Sequence, residues 1–289
     1  MGKSVKPLPR IIWTYWDQGV EAAPELIELC FQSWLVLNPD WEVRILDRKT
    51  ISEWVNPAEL TPYFHDLPIQ KQADLLRLQL LVTYGGVWAD PTVFCTKPLS
   101  DWLCLSPPFG FMMFENGATD RMMATWFIAG TAGNPLLTAW LKKAAKFFEK
   151  PRVHNPTGFL KSWHRALVRF TMKNEFRSRF WSTWLVSKLS PTYPYFIFHY
   201  LGGRELRRHA LIGKRPEASP LLRRPKPRGL IQLATKNEED FRSRLFQALE
   251  ESRPLMFKLS HKSESRVFPL AQSILPELQE WVRSKVGDS

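Results

Sequence analysis

The chain is short of cysteine, of acidic charge and of long apolar runs, and each shortage closes a possibility. Three cysteines in 289 residues, Cys30, Cys95 and Cys104, are few and odd in number, which argues against a disulfide framework and for a reducing compartment. No run of about 18 apolar residues occurs, the length that a membrane-spanning helix requires. Residues 1–7 (MGKSVKP) lack the apolar core of a signal peptide. A cytoplasmic location is the expectation, with peripheral contact at the inner face of the cytoplasmic membrane included. Acidic residues number 28 against 40 basic ones, a formal net charge of +12, which favours anionic partners such as sugar nucleotides, phospholipid surfaces or nucleic acid without choosing among them. No internal repeat or low-complexity tract stands out.

What remains is a globular chain, 44% hydrophobic and 24% charged, long enough to bury a full core as one domain with an insertion or as two small domains. Residues 10–16, rich in Ile, Trp and Tyr, read as a first strand ended by the turn-like Asp17-Gln18-Gly19. Pro24 suits the first turn of a helix running to about Leu37, Asn38-Pro39-Asp40 turns the chain, and residues 42–46 form a second strand. Such alternation predicts an α/β fold with a mainly parallel sheet covered by helices. The prolines of residues 51–68 mark an irregular segment in which His65 and Asp66 read as a solvated loop pair. Strands are expected at 109–114 and 125–129, with Glu115, Asn116 and Asp120 between them as groups that could meet a ligand acceptor. Asn134-Pro135 then starts a helix to about Phe148. The expected division is a core over 1–150, an aromatic and basic helical and loop insertion over 151–230, and a segment over 231–289 that returns to the core, with a last strand over 254–262 and a helix from 269 onward.

Residues 73–99 organise the rest. From 73 to 84 nearly every position is apolar, interrupted by Asp74, Arg77, Gln79 and Thr83, which reads as a helix buried on most of its circumference. Asp74 and Arg77, three apart, share one face of it, and charges in such surroundings must find partners or remain costly. Gly85-Gly86 ends the helix, since glycine takes the left-handed conformation there without penalty. A short strand over 87–90 comes next, and Pro91, which cannot donate to a ladder, leaves Asp90 at its carboxyl end. Ligands of open α/β sheets bind at such ends.

The pattern Asp-x-x-Arg in a leucine-rich helix, then Tyr-Gly-Gly-Val-Trp-x-Asp-x-Thr-Val, resembles the capsular polysaccharide synthesis glycosyltransferases, relatives of the retaining sugar transferases with an Asp-x-Asp motif and the GT-A fold. Thinner matches lie at 9–16, at Ser33-Trp34 with Asn38-Pro39, at 126–129, at 198–201 and at 258–260. The resemblance implies a GT-A-like core and transfer of a hexosyl unit from a nucleotide-diphosphate sugar, UDP being the expected nucleotide. The acceptor would be the glycan of a polysaccharide or glycolipid, and anomeric configuration would be retained. It gives Asp74 and Arg77 the donor sugar and makes Asp90 the first carboxylate of the motif. Trp13, Tyr15 and Trp16 stand near a nucleobase pocket, with core packing the plain alternative for the two tryptophans. Lys258, Ser260 and His261 match a late donor-binding motif, in which Lys258 and His261 could neutralise a leaving diphosphate. A divalent metal, Mn²⁺ or Mg²⁺, would sit on Asp90 and Thr92. Thr92 departs from the motif, because a neutral hydroxyl replaces a carboxylate and hard cations prefer charged oxygen, so weaker metal binding is expected.

Residues 158–189 change character, with Trp163, Phe170, Phe176, Phe180, Trp181 and Trp184 interleaved with lysines and arginines. A pair of amphipathic helices with a solvated basic face accounts for this; so does a face for an anionic membrane surface. The basic, proline-bearing stretch over 204–228 reads as an exposed loop or an anion-binding apron. A nucleic-acid-binding protein would also explain the charge, but no recognised motif accompanies it. The replacement at Thr92 keeps open a catalytically inactive nucleotide-sugar-binding protein.

Overall fold

The computed structural model describes residues 7–107, 109–116, 118–208, 221–222, 242–243, 246–247, 249–250, 255–258 and 273–286. Its strands are β1 (Ile11–Tyr15), β2 (Glu42–Leu46), β3 (Gly86–Ala89), β4 (Val93–Cys95), β5 (Phe111–Glu115), β6 (Met123–Gly130), β7 (Leu221–Leu222) and β8 (Met256–Lys258). Its helices are α1 (Glu25–Leu37), α2 (Pro57–Leu60), α3 (Ile69–Thr83), α4 (Pro135–Phe148), α5 (Gly158–Thr171), α6 (Glu175–Ser178), α7 (Trp184–Leu189), α8 (Ile197–Arg208) and α9 (Leu275–Val286). This is the expected α/β class, with mostly parallel sheet strands flanked by helices.

Contacts group the chain into two units whose bounds are not those of the three segments read from the sequence. One comprises Met1–Pro9, Thr50–Val87 and Ser106–Arg224; the other comprises Arg10–Lys49, Trp88–Leu105 and Pro225–Ser289. In the first, β5 pairs antiparallel with β6 and parallel with β7. Helix α4 begins as its residues dictate, with the Asn134 side chain accepting from the backbone N–H groups of Leu136 and Leu137 and Pro135 at the first helical position. Helix α3 starts at Ile69, directly after Pro68 and four residues before the apolar run, so its first turn adds Lys71 to the face that carries Asp74. His65 and Asp66 are exposed, as a solvated pair should be.

In the second unit β1 and β2 run parallel, in register from Ile11 opposite Glu42 to Tyr15 opposite Leu46. Pro24 stands just outside α1 rather than in its first turn. Helices α1 and α9 close a core with Leu26, Leu29, Cys30, Phe94, Phe257 and Leu278. Burial pushes the thiols of Cys30 and Cys95 up to about 12, so both stay protonated and act as small apolar side chains. The last strand is described over Met256–Lys258, the ends of its expected span 254–262 lying outside the described residues, as does the basic stretch beyond Arg208 apart from β7.

Gly85 ends α3 in the left-handed region, at φ 74°. A Cβ there would stand 2.8 Å from the Ala132 backbone nitrogen and 3.0 Å from the Gly130 carbonyl oxygen. Gly85→Ala is therefore expected to cost about 2 kcal/mol or more, combining a left-handed residue with a backbone clash. Urea denaturation monitored by circular dichroism measures it, and an unchanged midpoint would show that the turn relaxes freely.

Candidate active site

In the second unit the chain after β3 is pinned from two sides. Val93 N–H donates to the Asp90 carbonyl at 2.9 Å, closing a turn over Asp90, Pro91, Thr92 and Val93. Helix α1 holds β4 and the residues just beyond it. Trp34 Nε1 donates to the Val93 carbonyl at 2.8 Å, Ser33 Oγ accepts from the Cys95 N–H at 2.9 Å, and the Asn38 side chain accepts from the Leu99 N–H at 2.7 Å. On its other edge β4 pairs antiparallel with β8, which sets Lys258 opposite Val93. That register delivers the Lys258 ammonium to Asp90, with Nζ 2.7 Å from Oδ2, while Trp88 Nε1 donates to Oδ1 at 2.8 Å. Beside them Thr92 is buried, and its hydroxyl makes no hydrogen bond among the described residues.

Among the described residues this donor set does not fit a divalent metal. Both Asp90 oxygens already accept from protein donors, one of them a full positive charge. Thr92 is neutral, and no group of three His, Cys, Asp or Glu able to hold a metal occurs among the described residues. A hard cation would have to displace an ammonium to gain a single carboxylate. The pair instead fits an anion with neighbouring hydroxyls, received by Lys258 and Asp90 respectively.

The aromatic residues of β1 and just after it divide. Trp13 is fully buried with the Arg44 guanidinium 5.5 Å above its ring, so packing accounts for it. Tyr15 is buried and donates to Asp17 Oδ1 at 2.7 Å; burial first and that hydrogen bond second push its phenol far above the usual range. Trp16 is half-buried. Ser260 and His261 lie outside the described residues.

In the first unit Asp74 and Arg77 do find partners, more than the sequence promised. Asp74 accepts from Lys71 Nζ at 3.0 Å and faces Arg77 at 3.3 Å, with all three side chains buried. Lys71 also donates to the Tyr195 carbonyl at 2.6 Å, and Arg77 donates to the Thr125 carbonyl and lies 5.6 Å over the Phe198 ring. His199 Nε2 stands 3.2 Å from Thr125 Oγ1. The thin matches at 126–129 and 198–201 therefore flank the groups that surround Arg77. Lys71 was missed because the apolar run begins after it; a helix starting at Pro68 would have revealed it, three residues from Asp74. Tyr193 also carried no signal. Burial, with Asp74 adding to it, pushes its phenol up to about 12, and its hydroxyl has no hydrogen-bond partner among the described residues. Asp120 is a correction: it is buried and accepts from Tyr200 at 2.6 Å and from Arg121 at 2.8 and 2.9 Å, so it is satisfied within the protein rather than turned to an acceptor.

Residues 3–156, more than half of the chain, match the family model described as capsular polysaccharide synthesis protein, and the chain belongs to that family. It is similar to O-glycosyltransferase braB of Annulohypoxylon truncatum, 28% identical over 158 residues that make up 48% of this chain and 37% of that protein. It is also similar to glycosyltransferase afumC of Aspergillus fumigatus, 29% identical over 151 residues, 45% of this chain and 38% of the relative. The match thus spans well under half the length of these relatives. A solved structure titled PaToxG Glycosyltransferase superposes with a TM-score of 0.43 at 16% identity, covering 98% of this chain and 88% of that one, a likeness too slight to rest an argument on.

Removing one partner from a buried ionic group strands the others. Asp74→Ala, which leaves two buried cations without their carboxylate, is expected to lower stability by about 3–5 kcal/mol. Lys71→Met, which leaves Arg77 facing Asp74 one to one, is expected to cost less. Chemical denaturation of both variants gives the order; a reversed order would mean that Lys71, not Asp74, is the centre of the group.

Proposed function

We propose that this chain is a nucleotide-sugar-dependent glycosyltransferase, moving a hexosyl unit from a nucleotide-diphosphate sugar, with UDP as the nucleotide, to the glycan of a polysaccharide or glycolipid, lipid-linked glycans included, with retention. The observation that carries this reading is the Asp90–Lys258 pair, which ends β3 in the stretch most specific to the family. Departure of a nucleoside diphosphate develops negative charge, and a fixed ammonium stabilises it. At rest Asp90 holds the Lys258 ammonium in place. When a diphosphate takes the ammonium, Oδ2 is released to accept from a sugar hydroxyl while the Trp88 indole holds Oδ1 in place.

Lys258 thereby fills the role that Mn²⁺ or Mg²⁺ would have in relatives with two carboxylates. The hydroxyl of Thr92 supplies a neutral hydrogen bond, and half-buried Trp16, just after β1, is the tryptophan left to meet a nucleobase. The family resemblance gives Asp74 and Arg77 the hydroxyls of the sugar, a separate part of the proposal. The names of the curated relatives support the transferase class.

Release of nucleoside diphosphate over a panel of nucleotide sugars tests the reading. Asp90→Asn and Lys258→Met are each expected to lower turnover about 100-fold or more, the cost of losing one group that meets developing charge, with unchanged melting curves. Thr92→Val should lower it less. Activity should survive chelation with EDTA, and only Thr92→Asp should respond to added Mn²⁺, since it creates a second charged oxygen. Turnover that collapses in EDTA and returns with Mn²⁺ would restore the metal to the mechanism. Calorimetric binding of a nucleotide sugar with no turnover on any acceptor would make the chain a binding protein.

A further inference from the structure

We infer that α5 and the short helices after it form a docking surface for an anionic lipid membrane, an inference independent of the transferase reading. The inward face of α5 is fixed by specific contacts. His164 Nδ1 stands 3.0 Å from Thr192 Oγ1, and Thr171 Oγ1 accepts from Trp181 Nε1 at 2.7 Å. Trp181, one of the six aromatic residues read together from the sequence, is fully buried here and leaves the surface group. With that face inward, Phe159, Trp163 and Phe170, spaced four and seven apart, fall on one exposed stripe beside it. Phe159 is 86% exposed. On the short helices that follow, Phe176, Trp184 and Leu189 are 77%, 64% and 70% exposed. Scattered exposed apolar residues are ordinary, but an aromatic stripe on one helix, with further exposed apolar residues on the helices that follow, is a contact surface.

Charge identifies the occupant. Lys161, Arg165 and Arg169 are exposed elsewhere on the outer surface of α5, the Arg177 guanidinium lies 4.5 Å over the Phe170 ring and the Lys188 ammonium lies 4.6 Å over the Trp184 ring. Residues 158–189 hold seven basic side chains and one acidic one, Glu175, and Glu175 is already taken by Arg207 at 2.7 Å. Such a face repels a second copy of itself. Nucleic acid would neutralise the charge, but the exposed aliphatic ends of Leu185 and Leu189 gain nothing from base stacking. Both features are used at once in a headgroup layer, where cations meet lipid phosphates and the aromatic and leucine side chains enter the acyl boundary. No helix among the described residues is long and apolar enough to cross a membrane; α5 would lie along its surface.

Co-sedimentation of the full chain with vesicles tests this. The chain should sediment with vesicles made of equal parts phosphatidylcholine and phosphatidylglycerol at about 0.1 M salt, stay in solution with pure phosphatidylcholine, and be released near 1 M salt, where screening shortens from about 10 Å to about 3 Å. Arg165→Glu with Arg169→Glu, and separately Phe159→Ser with Trp163→Ser, should each weaken partitioning roughly twenty-fold or more. Circular dichroism melting should be unchanged, because these side chains face solvent; if the aromatic pair fails to fold, the arginine pair decides. Recovery in the supernatant with both vesicle types would overturn the inference, as would equal binding to neutral vesicles or binding indifferent to both variant pairs. A concentration-dependent dimer dissolved by Phe159→Ser with Trp163→Ser, without vesicle binding, would assign the face to a second copy and overturn it equally.

Discussion

A carboxylate taken out of water between two cations is the constraint on which the first unit turns. Asp74, Lys71 and Arg77 are each at most 6% exposed, and burial of an ion is tolerable only where geometry supplies partners. The partners come from far along the chain: the Tyr195 carbonyl on Lys71, the Thr125 carbonyl on Arg77, and the Phe198 ring beneath the guanidinium. Helix α3 can carry three charges in an apolar setting only because β6, α8 and the residues just before α8 bring these groups to it. The same helix could not be read as stable from its own residues.

The second unit solves a different problem, that of holding a short loop still. The segment after β3 has a proline and two small polar positions, and by itself would wander. Trp34, Ser33 and Asn38 of α1 and its C-terminal end give β4 a fixed edge through side-chain hydrogen bonds to backbone groups, and β8 takes the other edge. That frame holds the Asp90–Lys258 pair of opposite charges in place. Residues that carried the family likeness without evident chemistry, Ser33-Trp34 and Asn38, prove to be that frame.

Helix α5 shows how burial sorts residues of one composition. Trp181 and Trp184, three positions apart, end in opposite environments, the first fully buried with its indole nitrogen on Thr171 and the second exposed beside Lys188. Composition marks the region as amphipathic; only the docking of α5 through His164 and Thr171 decides which aromatic groups are left to meet a partner.

By itself the sequence determined what backbone chemistry settles locally: the break at Gly85-Gly86, where φ is positive, the strand end before Pro91, the Asn134 cap, and the alternation that makes an α/β fold. The Asp90 end of β3 and the Asp74–Arg77 face were legible for the same reason, because a helical period and a proline act within a few residues. Tertiary structure decided the rest. Lys258 reaches Asp90 across 168 positions of sequence through the register of β4 and β8, Lys71 joins Asp74 because Pro68 starts the helix early, and Trp13 is packed away while Trp16 is left half-open. No local rule contains these outcomes, since each depends on which distant surface is nearest once the chain has folded, and that distance is what sets the energy of a charge or a ring.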